Sequence, residues 1–174
     1  MVARPSMGND ITAEDIMTLL ELKRHPTCGF VHEAYRSQQR IKAGDGPPAG
    51  RSLGSVLYFL VTPEAHIVMH RIKSDQMYHH YLGDPLEVLL LYTDGNAARI
   101  TVGTDLRGGM RPQVTIPAGT FHTSRLAAGG RYALLGTSEW GGVEPGDVEI
   151  GNVEELMKRY PSVRDVIQSF ADSA

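Results

Sequence analysis

The sequence predicts an all-β domain with helices confined to its two ends, and three observations predict it. From His25 onward, short runs rich in Val, Ile, Leu, Tyr and Thr recur at close intervals between clusters of Gly, Pro and Asp. That is the grammar of a sandwich or barrel rather than of alternating βαβ units. Apolar residues at helical spacing occur only before residue 25 and after residue 151. The length, 174 residues with 41% apolar side chains, fits one packed core of ordinary size.

The elements follow in order. Thr12 with Asp15 forms a capping-box-like start to a helix over 13–24, in which Ile16, Leu19 and Leu20 face the body of the domain. Its Glu14, Asp15, Glu21 and Lys23 make a solvated face. Strands are expected over 30–36, 53–62, 67–72, 77–82, 86–92, 97–102, 113–116, 121–125 and 131–139. Between the first two, residues 40–50 read as a loop, because Gly44-Asp45-Gly46-Pro47-Pro48 removes ladder donors and favours turning. Asn152 can cap a helix over 153–159, with Glu154 and Glu155 in its first turn and Lys158 and Arg159 in its last, matching the macrodipole. Pro161 interrupts, and 162–170 offers Val163, Val166, Ile167 and Phe170 as a second apolar stripe. The chain therefore divides into an arm and helix (1–24), a barrel (25–150) and closing helices (151–174), one domain overall.

Composition removes several classes of function. Seventeen basic against twenty acidic side chains give a net charge of −3 with no run of Lys or Arg, so neither nucleic acid nor a membrane surface is an expected partner. Cys28 is the only cysteine, which rules out an intrachain disulfide and suits a reducing compartment. The dense apolar stretches fall far short of the ~20 residues a bilayer needs, and the first ten residues contain no apolar block of the signal-peptide kind. A cytoplasmic protein is expected.

The histidines are the most informative residues. Seven stand at 25, 32, 66, 70, 79, 80 and 122. Strand alternation places Gln76, Tyr78 and His80 on one face of their strand, and Val68, His70 and Ile72 on one face of the preceding one. The turn Ile116-Pro117-Ala118-Gly119-Thr120-Phe121-His122 leads into a later strand whose first inward residue is expected to be His122, so that imidazoles distant in sequence can meet. Two imidazoles titrating near neutrality, His70 and His122, with Tyr78 as a phenolic donor, make an acid–base set, and Gln76 is placed to orient a substrate. By strand phase, Val56, Tyr58, Val68, Val88 and Leu134 would wall the pocket. Arg36 can either face an anionic substrate or anchor the fold through a carboxylate. Cys28 lacks a visible base partner, Gly108-Gly109 and Gly141-Gly142 read as turn glycines, and Trp140 reads as an edge or interface aromatic.

The turn Pro117-x-Gly119-x-x-His122, and Gly83 after a histidine-bearing strand, resemble the two halves of the cupin signature. In that pattern the first half carries two histidines, a glutamate and a glycine; here those positions hold Val68, His70, Gln76 and Gly83. Further segments, among them His25-Pro26, Tyr35-Arg36-Ser37, His70-Arg71-Ile72-Lys73-Ser74-Asp75 and Gly83-Asp84-Pro85-Leu86, are similar to one cupin branch that is a domain of unknown function. The resemblance runs from about His25 to Tyr160. It implies a double-stranded β-helix, or jelly roll, often a homodimer, around a small-molecule site. It also implies one divalent metal, of Fe, Mn, Zn, Ni or Cu type, held by three imidazoles and a carboxylate. On this chain the surviving candidates are His70, His122 and Gln76, with His80 as a replacement should its strand bend, since Val68 cannot ligate. The leading expectation is an enzyme that relocates a proton on a small, mainly apolar organic molecule by isomerisation, epimerisation, cyclisation or elimination. Alternatives are a non-catalytic binding or sensory protein, and a metal-dependent oxygenase.

Overall fold

A computed structural model of the chain describes residues 11–42 and 50–172. The loop expected at 40–50 thus has its Gly44–Pro48 core outside the described residues, as do the first ten positions. Helix α1 (Ala13–Leu19) carries the Thr12–Asp15 capping box in full. It stops five residues earlier than its sequence suggests: Glu21 takes a left-handed φ of 53°, and Lys23 and Arg24 pair instead with Val31 and Phe30. Those two residues form strand β1 (Lys23–Arg24), too short to show any periodicity.

The remaining strands are β2 (Phe30–Arg36), β3 (Gly54–Val61), β4 (Ile67–Arg71), β5 (Asp75–Gly83), β6 (Leu86–Leu91), β7 (Ala97–Val102), β8 (Gln113–Ile116), β9 (Phe121–Leu126), β10 (Ala133–Trp140) and β11 (Glu149–Ile150). Asn152 caps α2 (Val153–Arg159), and after Pro161 the chain forms α3 (Arg164–Ala171). Every ladder between these strands is antiparallel. They assemble into a six-stranded sheet of order β1-β2-β3-β10-β5-β8 and a five-stranded sheet of order β11-β4-β9-β6-β7. The non-consecutive order of both sheets, closed face to face around one core, is the jelly roll.

Between the sheets Phe59, Val61, Ile67, Leu86, Val88, Leu90 and Leu135 interdigitate. Both sheets are also apolar on an outer face. Helices α2 and α3 bury Leu156, Tyr160, Ile167 and Phe170 against Met69, Leu89, Leu91 and Phe121 of the five-stranded sheet. The opposite sheet offers Leu60 and Leu134 to Ile16 of α1 and to Leu22. Strands sandwiched in this way read as continuous apolar runs, so alternation alone does not say which side faces the middle.

Two turns aim the interior strands. Gly83 links β5 to β6 at φ 87°, and a Cβ there would lie 2.4 Å from the Tyr132 carbonyl oxygen, so glycine is required both for conformation and for space. Gly119, at φ 76°, donates its N–H to the Ile72 carbonyl, while the Ala118 N–H is held by the Asp75 carboxylate at 2.8 Å. These bonds fix where β9 starts and bring His122 opposite His70. Among the described residues no helix is long and apolar enough to cross a membrane.

Candidate functional site

A cavity of about 280 Å³ lies between the sheets at one end of the roll. Strand β2 brings Val31, Glu33 and Arg36 to it, β3 brings Leu57 and Phe59, β4 brings Ile67 and His70, β5 brings Gln76 and Tyr78, and β10 brings Thr137 and Glu139. The strap after β10, through Val143, Glu144 and Val148, closes one side.

A β-bulge places His70. Ile67 pairs with Ser124 and His70 with His122, so three steps along β4 match two along β9. The Val68 N–H turns away to the Thr27 carbonyl, and both Ile67 and His70 face inward despite their odd spacing. Nδ1 of His70 lies 2.7 Å from the Val68 carbonyl oxygen. A carbonyl only accepts, so Nδ1 carries the proton and the Nε2 lone pair is left for the cavity. His122 is held alike: Nδ1 donates to the Thr120 carbonyl at 3.3 Å, and Nε2 accepts from the Gln76 amide nitrogen at 3.2 Å. The two rings have centroids 4.2 Å apart. Burial lowers the pKa of both, and that of His122 falls well below 6.5 because His70 stands beside it as well. Both are therefore neutral at pH 7.

The register corrects the expectation that both imidazoles face a substrate. His122 is 0% exposed and does not line the cavity; it sits behind His70, Gln76 and Tyr78, against whose ring it packs edge-on at 5.9 Å. Tyr78 lines the cavity, its ring tilted against that of Phe59 with centroids 4.7 Å apart, and burial raises its pKa well above 10, so its phenol keeps its proton.

Glu139, which the sequence reading did not single out, lies opposite Gln76 across the β10–β5 ladder and faces the same space. Burial raises its pKa above 4.5, and the opposing hydrogen bonds from the Ser55 hydroxyl, at 2.6 Å, and the Val143 N–H only partly offset this. A signal did exist: Leu135, Thr137 and Glu139 alternate along one strand, and the first is apolar. Thr137 is 6% exposed, and its hydroxyl has no hydrogen-bond partner among the described residues. His25 also lines the cavity; its Nδ1 accepts the Thr27 N–H, so the neutral ring carries its proton on Nε2. Burial pushes the Cys28 thiol up to about 11, which makes it an unreactive neighbour.

The mouth is organised by ion pairs. Arg36 is clamped between Glu33, at 2.5 Å, and Glu144, at 3.2 Å, and also donates to the Val143 carbonyl. Arg51 reaches over the strap to Asp147, whose side chain is 1% exposed, through two contacts, one of 2.7 Å; Lys73 approaches the same carboxylate at 3.8 Å.

Several expected wall residues lie elsewhere. Tyr58 and Leu134 face outward beneath α1, and Val56 lines a separate outer surface. Strand phase does not reveal this for Tyr58 and Leu134 because α1 makes their outer face apolar too. The bulge turns Val68 out to a small cavity against α3. Val88 is in the core between the sheets but does not reach the cavity. His80 does not line it either: its Nε2 donates to the Asp84 carbonyl at 3.1 Å. Arg36 does line the cavity, already neutralised by carboxylates.

A divalent metal of the kind expected would need donors beyond two imidazoles. Gln76 directs its amide N–H, which cannot ligate, at the His122 Nε2 lone pair, and Val68 points away. Among the described residues no group of three or more His, Cys, Asp or Glu side chains could hold a metal ion. The donor set as folded does not fit a metal.

The family model described as "Cupin superfamily (DUF985)" matches residues 14–150. A hypothetical protein from Leishmania major has a similar structure, with a TM-score of 0.83 and 30% identity over 92% of this chain and 98% of that one. Protein SO0799 from Shewanella oneidensis has a TM-score of 0.80 and 29% identity over 92% and 97%. The uncharacterized protein YML079W of Saccharomyces cerevisiae is 25% identical over 61% of this chain and 57% of its own length, so the chain spans little more than half of that curated relative.

Proposed function

The chain belongs to the cupin superfamily, in its branch of unknown function, and from that premise we propose that it is an enzyme relocating a proton on a small, mainly apolar organic molecule held in the cavity. One observation carries the reading. His70, whose pKa is lowered, and Glu139, whose pKa is raised, line the same cavity, so a base and an acid with opposite ordinary affinities for a proton are brought toward one another. Proton transfer between such groups through a substrate costs less than between the same groups unshifted.

The steps use this chain's own atoms. With Glu139 in its protonated form, His70 Nε2 removes a proton from a carbon next to a carbonyl while Glu139 donates one to the carbonyl oxygen, giving the neutral enol. The enol then returns its oxygen-bound proton to Glu139, and His70 delivers its proton to the same carbon once the enol has turned its other face to the imidazole, or, where a further double bond extends the enol, to the carbon at its far end. The enzyme is restored, and the substrate is epimerised or isomerised. His122 is a positioning residue: it holds the Gln76 amide and one side of the His70 ring. Leu57, Phe59, Ile67 and Val148 exclude water and accommodate the apolar body.

The test is incorporation of solvent deuterium into a panel of uncharged enolisable ketones and aldehydes, read by mass spectrometry. Exchange by the parent protein that is lost in both His70→Gln and Glu139→Gln supports the reading; exchange undiminished in either variant removes that residue from the mechanism. A second reading, ligand binding without turnover, is favoured by the ion-paired strap that closes the cavity. It is the outcome if panel members bind and none exchanges.

A further inference from the structure

We infer that the cavity selects an uncharged molecule bearing an alcohol or carbonyl oxygen, and that the Thr137 hydroxyl is the group that takes hold of that oxygen. The inference rests on the proposed use of this cavity and specifies its substrate class.

Thr137 is the first observation. Its hydroxyl is buried, lines the cavity, and has no partner among the described residues, whereas buried polar groups in folded proteins are almost always paired. On β10 it lies opposite Tyr78 and two residues before Glu139, in line with the groups assigned to proton transfer. A ligand oxygen in the cavity satisfies it without any movement of the backbone.

Charge is the second observation, and it is independent of the first. The cations at the mouth are already taken, Arg36 by Glu33 and Glu144, and Arg51 and Lys73 by Asp147. The imidazoles of His25 and His70 are fixed as neutral tautomers by the Thr27 N–H and the Val68 carbonyl. Glu139 either adds a further negative charge or none. In both of its protonation states a carboxylate or phosphate entering this space meets no unpaired Arg or Lys among the described lining residues and must lose its hydration, which is costly. The two tautomers add direction: His25 Nε2 offers a hydrogen and His70 Nε2 a lone pair, a donor and an acceptor suited to a neutral oxygen function and its adjacent C–H.

Matched six-membered rings make the test: cyclohexanone, cyclohexanecarboxylate and cyclohexylammonium, titrated into the full chain at pH 7 with binding read by saturation-transfer NMR. Cyclohexanone is expected to bind at least five-fold more tightly than either ion. Thr137→Val, which keeps the shape and removes the hydroxyl, is expected to weaken cyclohexanone about five-fold, and Thr137→Ser to retain it. Tighter or equal binding of either ion, an unaltered affinity in Thr137→Val, or no binding of any probe up to its solubility overturns the inference. Deuterium exchange into cyclohexanone reports separately on catalysis. If exchange is absent while the binding pattern holds, the proton-transfer reading fails and this one stands; exchange with an inert Thr137→Val does the reverse.

Discussion

The rings of His70 and His122 stand with centroids 4.2 Å apart on paired strands, and only the ring of His70 reaches the cavity. The family signature places both residues but does not distinguish a reacting imidazole from one that supports it. Here the distinction comes from depth: His122 spends its Nε2 on Gln76 and its Nδ1 on Thr120, so both nitrogens are used inside the protein.

That depth sets the outcome of His122→Ala. Truncation leaves a hole beside Tyr78 and His70 and removes the partner of the Gln76 amide, a combination expected to cost about 2–4 kcal/mol. Urea unfolding should show a clear fall in midpoint together with loss of activity. An unchanged midpoint would mean that the imidazole is neither packed nor bonded as described.

Much of this arrangement is legible in the sequence, and the residues that were not share a physical reason. Most strand runs, the Thr12 capping box and the Asn152 cap are local patterns, and they fall within two residues of their places. The outward placement of Tyr58 and Leu134 is not legible because a helix far upstream in the chain covers their face, information no strand contains. The outward turn of Val68 is not legible because one bulge reverses the alternation after Ile67. Glu139 does not stand out in the sequence because a carboxylate near a strand end ordinarily faces water; only the closure of the roll and the strap after it make this one interior.

Acidity should act on stability in two opposed ways. His70 and His122 have depressed folded pKa values, so as pH falls below about 6.5 the unfolded chain gains protons that the folded one resists, and stability is lost toward acid. Glu139 has a raised folded pKa, so as pH rises past 4.5 the unfolded chain releases its proton first, and stability is lost toward base until the folded group ionises too. Glu139→Gln removes the second effect alone. The variant should gain stability over the parent at pH 8 that is absent at pH 4, measured by urea unfolding at both. An equal gain at the two pH values would show that Glu139 titrates normally.

The strap depends on Asp147, whose carboxylate Arg51 holds below the usual range. This contribution is present above pH 3.8 and is lost as pH falls through the depressed value. Asp147→Asn leaves the Arg51 guanidinium without its charge partner, an expected loss of about 2–3 kcal/mol, below the full figure for a wholly buried pair because Arg51 is partly exposed. Limited proteolysis should then cut within residues 141–150 before the rest of the chain. Cleavage there at the parent rate would mean that other contacts close the cavity.

Thr137→Val separates what a residue does for folding from what it does for binding. A buried hydroxyl without a partner lowers stability by about 1–3 kcal/mol, and valine fills nearly the same space without that penalty. The variant should melt at a higher temperature than the parent while holding an oxygen-bearing ligand less well, the trade expected where a group is kept for a ligand rather than for the fold. A lower melting temperature would show that the hydroxyl has a partner within the folded chain, and its assignment as the ligand's anchor would fall with that result.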